Sequence, residues 1–593
     1  MAPLTDEDYH SILTTELPSS SDPILQKYLS SRTALINEEY KQRSVTERQN
    51  KADSSFRQAL SPIAKAACRI VDRIRDEEHH HVTTTPLTPD AMIKPKSWQI
   101  IQRLPKGGLL RAQMDALALA NVDHLITLAL ETPGMCLSSS NGNLATAEAR
   151  GDTTRRVEIR FRKNDQKSEQ SIWSSDYESG TFVPLTNAAD DYPEGGRSGF
   201  SKWLKARCGI VSRSDDSITT TTPQTEKTES FSSAEGRADS RLLRGMLYYE
   251  PIFRKFLRHL LVQLMEDGLS WSELRLTFPL DYYRTGLESP EPDSDQLFVV
   301  IGQEAASYCR QATTTPDDPG QRPPFWGFRI IWSTTRNQNQ RSIIEDADSC
   351  IAAKMIWSDL VAGYDLADTD TDALGRSLTD MLPELFWFRK QCALEEVEIP
   401  FFLDAGGGID GAGECNLFDA LLLGTRRLGN APSLYRHPRM MEAVKDKRIL
   451  VESCLVPGKD DISNHPLLAL IAQGVPCALS LGDAKEHAGE SAGLGMTHQF
   501  WTALHACESL GLAGIGSLAE NSVRWAAFED QPPESWIRDI RAASVGSGLK
   551  AKRLKEWAVE WERFCLWIVT KYGDDYGEGG DGDGDGGVTA SAN

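Results

Sequence analysis

The chain reads as an α/β protein built on a closed (β/α)8 barrel, carrying an amino-terminal helical extension, disordered insertions and an acidic tail. Three observations predict this. Short, nearly continuous apolar runs recur eight times along the chain. From the second run onward, the intervals mostly hold amphipathic helical segments, which is the pattern of parallel strands covered on their outer face. And the first run is followed by Gln113-Met114-Asp115-Ala116, not by the glycine-rich phosphate turn that a doubly wound open sheet would carry there.

The elements follow in order. Residues 24–78 predict helices, with Phe56, Leu60, Ile63, Ala67, Ile70, Val71 and Ile74 forming an apolar stripe at helical spacing. The run His79-His80-His81 closes that helix; consecutive helical side chains diverge by about 100° and cannot converge on one ion. The eight strand candidates are 107–114, 270–278, 326–334, 359–367, 399–406, a weak run at 427–433, 448–455 and 475–483. Residues 378–392 and 417–427 read as helices between strands. Residues 138–156 and 211–238 are rich in Ser, Thr, Asn and Gly or Glu and read as surface loops or linkers. The resulting division is 1–95 for the extension, 96–570 for the barrel and 571–593 for a disordered Gly/Asp tail.

Composition bounds the function. The 593 residues are 40% hydrophobic and 25% charged, with a formal net charge of −21. That is ordinary for a globular protein with a large core and opposes nucleic-acid binding, which needs clustered Lys and Arg to displace counterions. The amino terminus has no basic and apolar signal segment, and no apolar run of about 18 residues exists to span a membrane. The 11 cysteines are scattered without a CxxC pair and fit a reducing compartment. A cytoplasmic location is expected.

In such barrels chemistry sits where the strands end. At the first end, Leu104-Pro105-Lys106-Gly107-Gly108-Leu109-Leu110-Arg111-Ala112-Gln113-Met114-Asp115 resembles the first-strand motif of the adenosine deaminase family. The segment most resembles that of the branch called adenosine deaminase-related growth factors, and the amino-terminal helix resembles intracellular fungal-type members. Further matching segments come in the family's order: Tyr192-Pro193-Glu194-Gly195-Gly196-Arg197, Tyr249-Glu250-Pro251, Gly363-Tyr364-Asp365-Leu366, Leu385-Phe386-Trp387, Asn416-Leu417-Phe418-Asp419 and His465-Pro466. The resemblance covers roughly 25–570 and implies a barrel of the metal-dependent hydrolase type.

It also implies what this chain lacks. Family members hold Zn²⁺ with three His and one Asp, and the metal lowers the pKa of a bound water to about 7. The four ligand positions fall on Arg111, Gln113, Asp404 and Gly482; the proton-shuttling Glu falls on Gly407 and the positioning His on Asn430. No metal and no other cofactor is therefore expected. The replacements are polar, so a rebuilt pocket of Arg111, Gln113, Asp115, Asp365, Asp404, Gly407, Asn430 and Asp483 is predicted. A lone buried cation is costly, so Arg111 is expected to pair with Asp404 or Asp483.

Three functions stay open: a pseudoenzyme with a binding or scaffold role; a metal-independent enzyme, for example in fungal secondary metabolism, with Asp404, Asp483 and Arg111 as catalytic candidates; and an active purine nucleoside deaminase. A small, nucleoside-like molecule is the expected ligand, and the resemblance allows a homodimer. Other candidates are weaker: His487 and His498 with Glu486 and Glu490 as loop residues, His437 as a helix-start residue, Gly406-Gly407-Gly408 as a phosphate cradle without its Lys, and Trp557, Trp561 and Trp567 as a packing face.

Overall fold

The computed structural model describes residues 27, 30, 52–82, 95–152, 154–163, 170–209, 240–311, 324–367, 376–405, 412–429, 431–455, 465–482, 495–506 and 510–576. Among the described residues ten strands are formed: β1 (Gly107–Gln113), β2 (Met135–Ser139), β3 (Val157–Phe161), β4 (Val183–Pro184), β5 (Leu269–Phe278), β6 (Gly327–Thr335), β7 (Val361–Ala367), β8 (Arg427–Gly429), β9 (Leu450–Ser453) and β10 (Cys477–Leu479). Two parallel sheets, β1-β5-β6-β7 and β8-β9-β10, are joined into one ring. Residues 401–404 supply the missing member: Tyr364 bridges to Phe401, and Asp404 bridges to Gly429. The ring closes where the Leu481 N–H donates to the Arg111 carbonyl at 3.3 Å. These eight segments are the eight apolar runs, so the barrel stands as expected. The weak sixth run ends at Gly429.

The strands form because their outward residues are apolar and β-rich. On β5, Leu274, Leu276 and Phe278 join the large core under the helices, while Trp271 belongs to a second cluster inside the ring with Leu110, Ile331, Phe402 and Leu450. The amino end of the barrel is plugged from below by Trp525, Trp536 and Ile540. Gly107, where β1 begins, has φ +73°, and a Cβ there would lie 2.5 Å from Ser522 Oγ and 2.6 Å from the Ala519 carbonyl. Only glycine lets the Gly511–Arg524 helix sit this close.

The amino-terminal helix Pro62–Val82 packs on the carboxyl-terminal helix Leu549–Tyr576. Ala64, Ala67, Ile70, Val71 and Ile74 face inward, but Ile63 is 42% exposed, contrary to its place in the predicted stripe. Leu60 and Ser61 break the helix and Pro62 starts a new one, so the phase of the stripe resets there. Trp557 and Trp561 are buried, with the Phe56 ring 6.1 and 5.4 Å away. Trp567 is half-buried against the same core. That is the packing face expected of them.

Two boundaries differ from expectation. Residues 138–156 are not a linker: they contain the end of β2 and the helix Ala147–Gly151, and β2 pairs antiparallel with β3 and β4. Ser138 and Ser139 are buried there, and the Tyr177 hydroxyl accepts from the Ser139 N–H at 3.0 Å. The Ser139 hydroxyl donates to the Gly142 carbonyl at 2.7 Å, and polar groups satisfied in this way let the segment enter a core. The last helix runs to Tyr576, past the predicted limit at 570, because its own Tyr572 and Tyr576 are buried, the Tyr576 hydroxyl donating to Glu77 at 2.8 Å. The 211–238 insertion and the rest of the acidic tail lie outside the described residues, as do residues 24–26 and most of 28–51. Among the described residues no disulfide is present, and no helix is long and apolar enough to cross a membrane.

Candidate functional site

Inward positions of barrel strands are usually filled by branched aliphatic side chains. Here the interior above the lower apolar layer is a column of charges. Arg427, at the start of β8, donates to Glu273 on β5 at 2.5 Å and to Glu452 on β9 at 2.6 Å. Glu452 also accepts from Arg275 at 3.1 Å, and Arg275 reaches Asp365 on β7 at 2.9 Å. The other Asp365 oxygen accepts the main-chain N–H of Asp404 at 3.0 Å. Asp404 in turn accepts from Arg111 Nη2 at 2.6 Å. All seven side chains are buried.

Charges can stay there only because each meets an opposite one; an isolated ion would cost several kcal/mol. Main-chain groups complete the shell. Arg275 donates to the Phe402 carbonyl at 3.3 Å, Arg427 to the Trp525 carbonyl at 3.0 Å, and Glu273 accepts the Ala527 N–H at 2.7 Å. Three arginines face four carboxyls. Burial pushes the Asp365 carboxyl up to about 6; Arg275 pulls the other way, and the neighbouring Asp404 charge adds to the rise. At the lower end, burial brings the Lys550 ammonium down to about 7; it donates to the Ala526 carbonyl at 2.8 Å and lies 3.9 Å above the Trp536 ring.

The upper end of the column is where the predicted site residues meet. Arg111 takes Asp404, one of its two expected partners. Its side chain fits because residue 429 is glycine: a Cβ there would sit 3.0 Å from Arg111 Nε and 3.2 Å from Cδ. Asp365 joins the same cluster. Asp115 does not: its carboxylate accepts from Arg244 Nε at 2.7 Å and from the Tyr248 hydroxyl at 2.9 Å, so two groups from the following helices hold it. Gln113 and Gly482 border a cleft beside the barrel. Gly407, Asn430 and Asp483 lie outside the described residues, as do Glu486, His487, Glu490 and the Gly406-Gly407-Gly408 run.

His498 is a correction. It sits in the helix Gly495–Ala506, buried, with its ring 6.5 Å from Trp98, rather than in a loop. His437 precedes the helix Pro438–Asp446 as expected. Glu273, Arg275, Arg427 and Glu452 were not among the predicted site residues. Their signal is visible in Trp271-Ser272-Glu273-Leu274-Arg275-Leu276, where charged residues alternate with outward leucines inside an apolar run. Among the described residues, no group of three or more His, Cys, Asp and Glu side chains is placed to hold a metal ion.

No protein-family model matches the chain. It is 24% identical over 494 residues to an adenosine deaminase of Lutzomyia longipalpis, covering 79% of each chain. It is 26% identical over 306 residues to adenosine deaminase 2-A of Danio rerio, and 23% identical over 339 residues to adenosine deaminase 2 of Homo sapiens. The chain is similar, at low identity, to the adenosine deaminases. The match takes in 49% of this chain and 56% of the Danio rerio protein, and 56% of this chain and 58% of the human one, so it spans little more than half of either relative. Among solved structures, a zinc-bound amidohydrolase of Burkholderia ambifaria superposes with a TM-score of 0.47 at 13% identity, covering 82% of this chain and 98% of that one.

What this site can do follows from its groups. A guanidinium has no lone pair and stays cationic, so Arg111 can hold an anion but cannot ligate a metal. Asp404 and Asp365 could exchange protons. As arranged here, Asp404 is committed to Arg111 and Asp365 to Arg275.

Proposed function

We propose that this chain is a metal-free relative of the adenosine deaminases that acts by binding rather than by deamination. One observation carries the reading: the Arg111–Asp404 pair, 2.6 Å apart and buried, takes up two of the four positions that hold zinc in the family. The residues present do not fit the metal. A tetrahedral site needs three or more converging N, S or O donors; Gln113 and Gly482 complete the set here, and a fixed cation in its midst repels a divalent ion. The shuttle and positioning positions, Gly407 and Asn430, offer no group able to move a proton at a purine ring near neutral pH.

The test is ammonia release from adenosine and 2′-deoxyadenosine by the purified full chain with added zinc. No release above the buffer rate is expected. Sustained zinc-dependent turnover would overturn the reading.

A second reading, a repurposed acid–base enzyme, draws on the Asp365 carboxyl, which burial holds at about 6. In it Arg111 clamps an anionic substrate and Asp404 or Asp483 transfers the proton. Carboxylate or phosphate compounds that raise the melting temperature of the wild type, and not of Arg111→Ala, would favour it.

A further inference from the structure

A cleft of about 290 Å³ opens at the carboxyl end of β1, bounded by residues 481–482 and by the helices Lys96–Arg103, Met114–Ala120, Glu250–Glu266 and Gly495–Ala506. It lies outside the charge column, since neither Arg111 nor Asp404 borders it. Its size sits just under the roughly 300–1,000 Å³ usual for small-molecule sites, which limits an occupant to one or two rings.

The lining sets the chemistry. Trp98 and Met496 give apolar walls, and Gln113 and Gln263 give carboxamides. Gln263 donates to Asn121 Oδ1 at 2.9 Å, which commits one of its two amide hydrogens and leaves its carbonyl oxygen as an acceptor. Gln113, half-buried at the end of β1, makes no hydrogen bond to the described residues and offers both a donor and an acceptor. The charged residues on the lining are Glu266 and Asp267; no Lys or Arg borders the cleft. Asp267 accepts the N–H groups of Met496 and Thr497 at 2.5 and 3.0 Å and lies 3.9 Å from the buried Lys106 ammonium, so the nearest cation is already paired and none is offered to an anion at the rim.

We propose that this cleft binds a neutral, flat heterocycle with a cyclic amide or amidine edge and no phosphate or carboxylate. The amide edge pairs donor to acceptor with Gln113 and Gln263, the ring packs on Trp98, and the two carboxylates turn anions away. The inference rests on the metal-free reading, because Gln113 stands at one of the family's zinc-ligand positions and its amide must stay clear of metal to meet the ligand.

The test is calorimetric titration and thermal shift on the full chain with hypoxanthine, cytosine and nicotinamide. Each is set beside its anionic counterpart: inosine 5′-monophosphate, cytidine 5′-monophosphate and nicotinate. At least one neutral probe is expected to bind with a Kd below about 1 mM and raise the melting temperature. Its anionic counterpart should bind about tenfold more weakly or worse. Gln113→Leu, which removes only the free amide, and Ala116→Phe, which fills the cleft, should each weaken it about tenfold. The proposal is overturned if no neutral probe binds, if the anions bind equally well, or if binding survives both substitutions.

Discussion

Arg111 and Asp404 meet as a buried ion pair at the carboxyl end of the barrel, Nη2 to Oδ2 at 2.6 Å. Removing one partner leaves the other charged and dry. Arg111→Met should cost about 3–5 kcal/mol of unfolding free energy. The double change Arg111→Met with Asp404→Leu should recover most of that, since an apolar pair of similar volume is often neutral or better there. Urea unfolding of the four proteins measures the coupling; simple additivity of the two single losses would contradict a buried pair.

Gly429 makes room for that arginine. Adding one methyl places it 3.0 Å from Arg111 Nε, and the side chain cannot swing away without leaving Asp404. Gly429→Ala should cost about 1–3 kcal/mol by overpacking in the wild type and clearly less in the Arg111→Ala background, where the crowded side chain is gone. Equal losses in both backgrounds would show that the two residues do not press on each other.

Burial also gives the protein a pH signature. The Asp346 carboxyl, which accepts from the Trp332 indole at 3.1 Å and from the Thr334 hydroxyl, is pushed up to about 6 by desolvation. An acid whose folded pKa is raised keeps its proton longer in the native state than in the unfolded one. Its contribution is therefore full below about pH 4 and is lost as the pH climbs through about 6. Between those values, wild-type stability should fall relative to Asp346→Asn, read from melting temperatures at stepped pH. A constant gap between the two curves would refute the shift.

The helix beside the cleft depends on Asp267, which accepts from the first N–H groups of Gly495–Ala506 and lies 3.9 Å from the buried Lys106 ammonium. Asp267→Ala should cost about 1–2 kcal/mol as a lost cap, while Asp267→Asn, which still accepts, should cost clearly less. Equal losses in thermal unfolding would assign the effect to charge rather than to capping.

The strands were legible because their outward faces are continuous apolar runs, and that periodicity survives in β5, β6 and β7. The first apolar stripe slipped at Ile63 because Pro62 restarts the helix, an effect a fixed 3.6-residue count does not register. Composition misread 138–156, where Ser138 and Ser139 are buried: the Tyr177 hydroxyl, 38 residues on, accepts the Ser139 N–H, and the Ser139 hydroxyl donates to the Gly142 carbonyl at 2.7 Å. At the site, Arg111, Asp365 and Asp404 were foreseen to lie together. Glu273, Arg275, Arg427 and Glu452 were not, since a charge inside a strand becomes meaningful only once its partner on another strand is known. Asp115 went elsewhere for the same reason: Arg244 lies 129 residues away.

On the proposed reading, Arg111 and Asp404 stand where relatives bind zinc and leave no metal site. Metal content of the full-length protein, purified without chelator from zinc-supplemented cells and measured by mass spectrometry, tests it most directly. Zinc well below about 0.1 atom per chain is the predicted result, with Arg111→Ala no higher; tetrahedral sites need three or more converging donors. About one zinc per chain that survives dialysis would contradict it.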